Sequence, residues 1–192
     1  MIRIDIKPIE TIYDGYRFRS RLEARWAVFF DAAGIEYQYE PEGYDLEDGI
    51  YYLPDFYIPD WDAFVEIKPS TEYQYNEKAD RLAKLSGKIV ILCSGDPYCD
   101  GEETYAYKTA IYYPDGDIWF TEKDEEPFVF RDCRRCNGFV LESLSYGGLY
   151  VGVHNERCAD RHGIFSKRIL RAYRASRQAR FEHGEKPLSE EE

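Results

Sequence analysis

The 192-residue chain lacks long apolar runs. No stretch reaches the roughly 18 apolar residues of a membrane-spanning helix, so no membrane partner is expected. Met1-Ile2-Arg3-Ile4-Asp5 is not the start of a signal peptide, and no targeting sequence is recognisable. Internal repeats are missing, as are helicase and methylase motifs. Cysteine occurs five times, an odd number that suits no complete disulfide framework. A reducing, cytoplasmic setting with a metal site fits this count better. Acidic residues are absent from residues 161–180, although the chain as a whole carries a net charge of −12.

What is present is a chain that can build a core. Hydrophobic residues make up 44% of it, enough for one domain and a small appendage. Aromatics reach 17%, with 18 Tyr and 11 Phe, and such rings fit half-buried sheets. Residues 161–180 hold Arg161, Lys167, Arg168, Arg171, Arg174, Arg177 and Arg180, so the remainder sums to −19. A body that acidic repels nucleic acid at long range, while the basic segment attracts it.

The pattern of elements reads as an α/β fold. Residues 3–9 suit a short strand or extended arm, and Tyr13-Asp14-Gly15-Tyr16 a turn. Ser20 and Glu23 have capping-box spacing. Leu22, Trp26, Phe29, Phe30 and Ala33 then recur at helical period, and Gly34 stops the helix. Strands are expected at 35–40, 51–57 and 63–68, a helix at 76–86 closed by Gly87, and a doubly buried strand at 88–93. Residues 104–113 and 117–121 extend the sheet around the turn Pro114-Asp115-Gly116. The predicted organisation is a domain over 1–127, a small module over 128–163, a basic helix over 164–183 and a disordered acidic tail over 184–192.

Leu53-Pro54-Asp55 and Phe64-Val65-Glu66-Ile67-Lys68 carry the chemistry. Residues two apart on a strand share a face, so Glu66 and Lys68 point one way while Val65 and Ile67 point into the core. Asp55 on the neighbouring strand can stand beside Glu66. Two carboxylates that close repel unless a cation lies between them, and Mg²⁺ accepts such a pair with water and phosphate oxygens. Lys68 could orient the attacking water or neutralise charge building on a phosphate. Glu23 offers a third carboxylate. The competing readings are a helix cap for Glu23, a surface lysine for Lys68 and a turn residue for Asp55.

With the helix Ser20-Arg21-Leu22-Glu23-Ala24-Arg25-Trp26-Ala27, these residues resemble the PD-(D/E)xK, or restriction-endonuclease-like, nuclease superfamily over residues 11–95. The resemblance implies an α-β-β-β-α-β core with a mixed sheet. It implies that Asp55, Glu66 and the backbone carbonyl of Ile67 hold Mg²⁺ or Mn²⁺, that Lys68 is catalytic, and that Glu23 completes the site. The Gln-x-x-x-Tyr of some exonuclease branches is missing, because Gln74 is followed by no Tyr at that spacing.

Cys133-Arg134-Arg135-Cys136 and Cys158-Ala159-Asp160-Arg161-His162 form two ligand pairs around a hairpin-like stretch, the pattern of a zinc-ribbon-like module. Four ligands would close a tetrahedral structural Zn²⁺ site; His154 competes with His162 for the fourth place. Lys167, Arg168, Arg171, Arg174 and Arg177 suit phosphate binding along a helix. Alternatively, that helix docks on the acidic body. The expectation is a metal-dependent nuclease acting on DNA by metal-activated water, of bacterial or phage origin by analogy. The alternatives are a non-catalytic nucleic-acid-binding or assembly subunit on the same fold, and a factor that binds a protein partner through its acidic surface.

Overall fold

A computed structural model describes residues 8–69, 75–97, 108–120, 128–133, 138–143, 149–151, 162–163 and 166–181. Most of the expected arm at 3–9, Cys136, Cys158, His154 and the tail 184–192 lie outside these residues.

The chain is α/β, with three helices and a mixed six-stranded sheet among the described residues. A hairpin of β1 (Thr11–Tyr13) and β2 (Tyr16–Phe18) precedes α1 (Arg21–Ala33). Ser20, in extended conformation, accepts the Glu23 amide at the start of α1. Gly34 ends it at φ 67°, a left-handed conformation that glycine adopts without a Cβ penalty. The Gly34 and Ile35 amides then bond the Asp31 and Phe30 carbonyls. That closure occupies Ile35, so the strand expected at 35–40 shrinks to β3 (Gln38–Tyr39).

The strand expected at 51–57 is two strands. β5 (Tyr51–Tyr52) pairs with β4 (Tyr44–Asp45) in a separate ribbon, and β6 (Phe56–Ile58) joins the main sheet. Pro54 lies at the break and has no N–H for a ladder. A 3₁₀ turn (Pro59–Trp61) leads into β7 (Ala63–Lys68), followed by α2 (Glu77–Ser86), β8 (Ile89–Ser94), β9 (Lys108–Tyr112) and β10 (Ile118–Phe120).

The sheet order is β10-β9-β8-β7-β6-β3. Only β7 and β8 run parallel, and α2 lies in the crossover between them. Both central strands are covered on both faces. Ala63, Val65, Ile67, Ile91 and Cys93 share a core with Trp26, Phe29 and Phe30 of α1. Phe64, Val90 and Leu92 share another with Leu82 and Ala83 of α2. That double burial explains their near-continuous apolar sequence.

Among the described residues after 127, β11 (Phe128–Cys133), β12 (Phe139–Ser143), β13 (Leu149–Val151) and β14 (His162–Gly163) form a four-stranded antiparallel sheet in the order β13-β12-β11-β14. It shares the α1 core: Phe130, Phe139 and Leu141 belong to the same cluster as Trp26 and Phe29. Trp61 stacks on Phe130 at 5.9 Å and donates its indole N–H to the Phe139 carbonyl at 2.9 Å. Helix α3 (Lys167–Gln178) lays Ile169, Ala172 and Tyr173 into this core, with Tyr173 against Phe29. No described helix is long and apolar enough to cross a membrane.

Candidate functional site

Asp55 and Glu66 meet where β6 gives out. The register pairs Phe56 with Val65, so one step further sets Asp55 beside Glu66. The Asp55 amide donates to Glu66 Oε2 at 3.4 Å, and the Ile67 amide to Asp55 Oδ2 at 2.7 Å. Lys68 Nζ lies 2.5 Å from Glu66 Oε1. Asp55 is 7% and Glu66 4% exposed, so water screens their charges poorly. Burial, and next the Glu66 charge, push Asp55 up to about 8. The Ile67 amide pulls against this, Glu23 adds to it and Lys68 opposes it. The carboxylate pair is thus short of positive charge even with Lys68 in contact.

The direction of the Ile67 carbonyl follows from the strand. On a strand, the N–H and C=O of one residue point to the same side. The Ile67 N–H reaches Asp55, so its carbonyl also faces the β6 side. The residue opposite in continued register is Pro54, which has no N–H to give.

Glu23 is placed differently. It is buried and held by its own surroundings: Ser20 Oγ and Tyr39 Oη donate to it at 2.7 Å each, and the Arg19 amide at 3.1 Å. Its charge acts on Asp55, but it does not join the pair as a third ligand. Among the described residues, no group of three or more His, Cys, Asp or Glu is arranged to hold a metal ion. The pair still meets what Mg²⁺ asks of a protein, one or two carboxylates with the remaining places left to water and phosphate.

Tyr52 belongs to this site and sequence reasoning missed it. It is 8% exposed, and its buried hydroxyl has no described partner at hydrogen-bond geometry. Burial raises its pKa, with Glu66 and then Asp55 adding to the shift, so the hydroxyl lies close to the carboxylates. One tyrosine among 18, in a strand that sequence alone runs on to residue 57, carries no signal of this role.

No family model, curated protein or solved structure matches this chain.

Of the four expected zinc ligands, Cys136 and Cys158 lie outside the described residues. Cys133 is buried at the end of β11, and the β11–β14 register sets residue 162 directly opposite it. The separate Cys93 is fully enclosed, and burial raises its thiol to about 12, which makes it inert.

The basic helix divides its cations. Lys167, Arg171, Arg174 and Arg177 are exposed. Arg168 turns inward: its Nε donates to the Ala33 carbonyl at 2.6 Å, and its guanidinium lies 5.3 Å from the Phe139 ring centre. It closes the end of α1 instead of facing outward with the others.

Proposed function

We propose that this protein is a divalent-metal-dependent nuclease that hydrolyses phosphodiester bonds, in DNA by preference. The observation that carries the reading is the buried Asp55–Glu66 pair, with Asp55 pushed up to about 8 and a lysine at its edge. The order α1, β3, β6, β7, α2, β8 around the main sheet supports a restriction-endonuclease-like core.

Asp55, Glu66 and the Ile67 carbonyl would hold Mg²⁺ or Mn²⁺. Such a cation supplies an activated water and polarises the phosphate. Lys68, part-exposed and bonded to Glu66, can turn its ammonium to the phosphate and stabilise charge there. Pro54 offers the Ile67 carbonyl no N–H, and the buried Tyr52 hydroxyl lies beside the pair. Glu23 fixes the start of α1 and adds negative potential.

The test is incubation with single-stranded, double-stranded and branched DNA and with RNA, in Mg²⁺ or Mn²⁺. The wild type should cleave at least one DNA substrate. Asp55→Ala and Lys68→Ala should fold by circular dichroism and lose about 10²-fold or more in rate. Normal folding with wild-type cleavage would sink the reading.

One observation favours a second reading, a non-catalytic subunit that binds nucleic acid: Glu23 is bonded within its cap and, among the described residues, no third carboxylate, His or Cys joins the pair. Calorimetric titration with Mn²⁺ separates the two. Binding that disappears in Asp55→Ala supports the nuclease, and no binding supports the subunit.

A structural Zn²⁺ on Cys133, Cys136, Cys158 and His162 is proposed for the smaller sheet, supported by the facing positions 133 and 162. One equivalent of zinc by elemental analysis, lost in Cys133→Ser, is the expected result.

A further inference from the structure

The outward row of α3 is the surface that remains unexplained. At helical spacing, Lys167, Arg171 and Arg174 fall on one stripe with Gln178, opposite the buried Ile169, Ala172, Tyr173 and Ser176. The buried side docks α3 on α1, so the cations point away from the body. Docking of this helix on the acidic body through its charges is therefore not what holds it. Elsewhere, Arg17, Arg19, Arg25, Lys68, Arg81, Lys84 and Lys88 sit in ion pairs. Among the described residues, Lys167, Arg171 and Arg174 are in none. In a chain of net charge −12, this exposed row of unpaired cations is open to an external anion. The row also borders an open groove of about 490 Å³, lined by Lys167, Arg168, Leu170, Arg171 and Arg174.

From these observations we infer that the outward stripe of α3 is a docking track for a nucleic-acid backbone. Lys167 and Arg174 are seven residues apart, a rise of about 10 Å along the helix. A duplex strand carries one phosphate per about 3.4 Å of axis, so three cations match about three phosphates. Arginine forks suit phosphate oxygens and read no base. The stripe also has a direction. Arg168 ties the start of α3 to the end of α1, and Arg21 at the start of α1 donates to the Phe181 carbonyl just past α3. The two helices are antiparallel, and the track runs towards the end of α1 that bears Glu23. Because the track is separate from Asp55 and Glu66, this inference does not rest on the nuclease reading.

The experiment is anisotropy titration of a short fluorescein-labelled DNA duplex over a salt series, in chelator and without divalent metal so that no cleavage occurs. The full chain is compared with the triple variant Lys167→Gln/Arg171→Gln/Arg174→Gln and with Arg81→Gln, a paired surface cation on α2. Wild type should bind, with affinity falling as salt rises. The slope of log affinity against log salt should fall by roughly 1 per removed cation, about 3 in the triple variant. Arg81→Gln should keep the wild-type slope. Circular dichroism and thermal midpoint confirm that the triple variant is folded. Wild-type slope and affinity in the folded triple variant would overturn the inference. So would absence of duplex binding together with triple-sensitive binding to polyglutamate or to anionic lipid vesicles. Cleavage without the slope change would remove the track and leave the nuclease reading intact; the slope change without cleavage would do the reverse.

Discussion

Asp55 carries an electrostatic cost set by burial and by a neighbouring carboxylate. Its carboxyl is raised from 3.8 to about 8, first by burial and then by Glu66. A raised acid keeps its proton in the folded state after the unfolded chain has lost it. Between about pH 4 and pH 8 the folded state therefore binds more protons, and stability falls as pH rises. In metal-free protein, the urea midpoint should decline over that window. Asp55→Asn should flatten the decline and raise the midpoint at pH 8. An unchanged slope in Asp55→Asn would show that other groups set it. Divalent-metal binding must displace the same proton, so Mn²⁺ affinity measured by calorimetry should rise from pH 6 to pH 8 with net proton release. Asp55, Glu66 and Lys68 were legible in sequence because strand parity is a rule of two. Glu23 was legible as a cap and as an acid, and sequence could not choose between them. In the structure it caps with Ser20, and Tyr39 and Arg19 also reach it from outside its own helix turn.

At the scale of elements, α3 presents two different sides, one buried and one exposed. Arg168 on its inner edge joins the Ala33 carbonyl and the Phe139 ring. Arg168→Ala should cost about 2 kcal/mol in urea unfolding, since a hydrogen bond from a charged donor and a ring contact are both lost. Arg171→Ala, exposed on the outer edge, should change stability by no more than about 0.5 kcal/mol. Equal costs for the two would contradict the division. Helix boundaries were well marked in sequence: Ser20, Gly34, Asn76 and Gly87 all cap as their chemistry dictates. Strands were marked less well. The break at Pro54 was written in the sequence, yet the alternation on either side of it masked the division into β5 and β6.

Across the whole molecule, the stretch after residue 127 was expected as a separate module. Its described strands instead share one core with α1, with Phe130 against Trp61, Phe29 and Trp26. Phe130→Ala should cost about 3–5 kcal/mol. Unfolding of the wild type should be a single transition, with near-ultraviolet and far-ultraviolet signals coinciding. Two separate transitions would mean that the second sheet unfolds by itself. Sequence could not show the sharing, because aromatic residues in a short strand look alike whether they cover their own sheet or another.

The sequence by itself determined the helix caps, the doubly buried central strands, the facing carboxylates and the uneven distribution of charge. Each follows from local periodicity, turn chemistry or composition, which act within a few residues. The tertiary structure alone decided that Tyr39 and Arg19 bond Glu23, that Tyr52 lies beside the carboxylate pair and that Arg168 faces inward while Lys167 and Arg171 face out. It also decided that the two sheets share one core. These outcomes depend on which distant residue fills a space or supplies a hydrogen bond, and burial then multiplies the consequences by weakening the screening of charge.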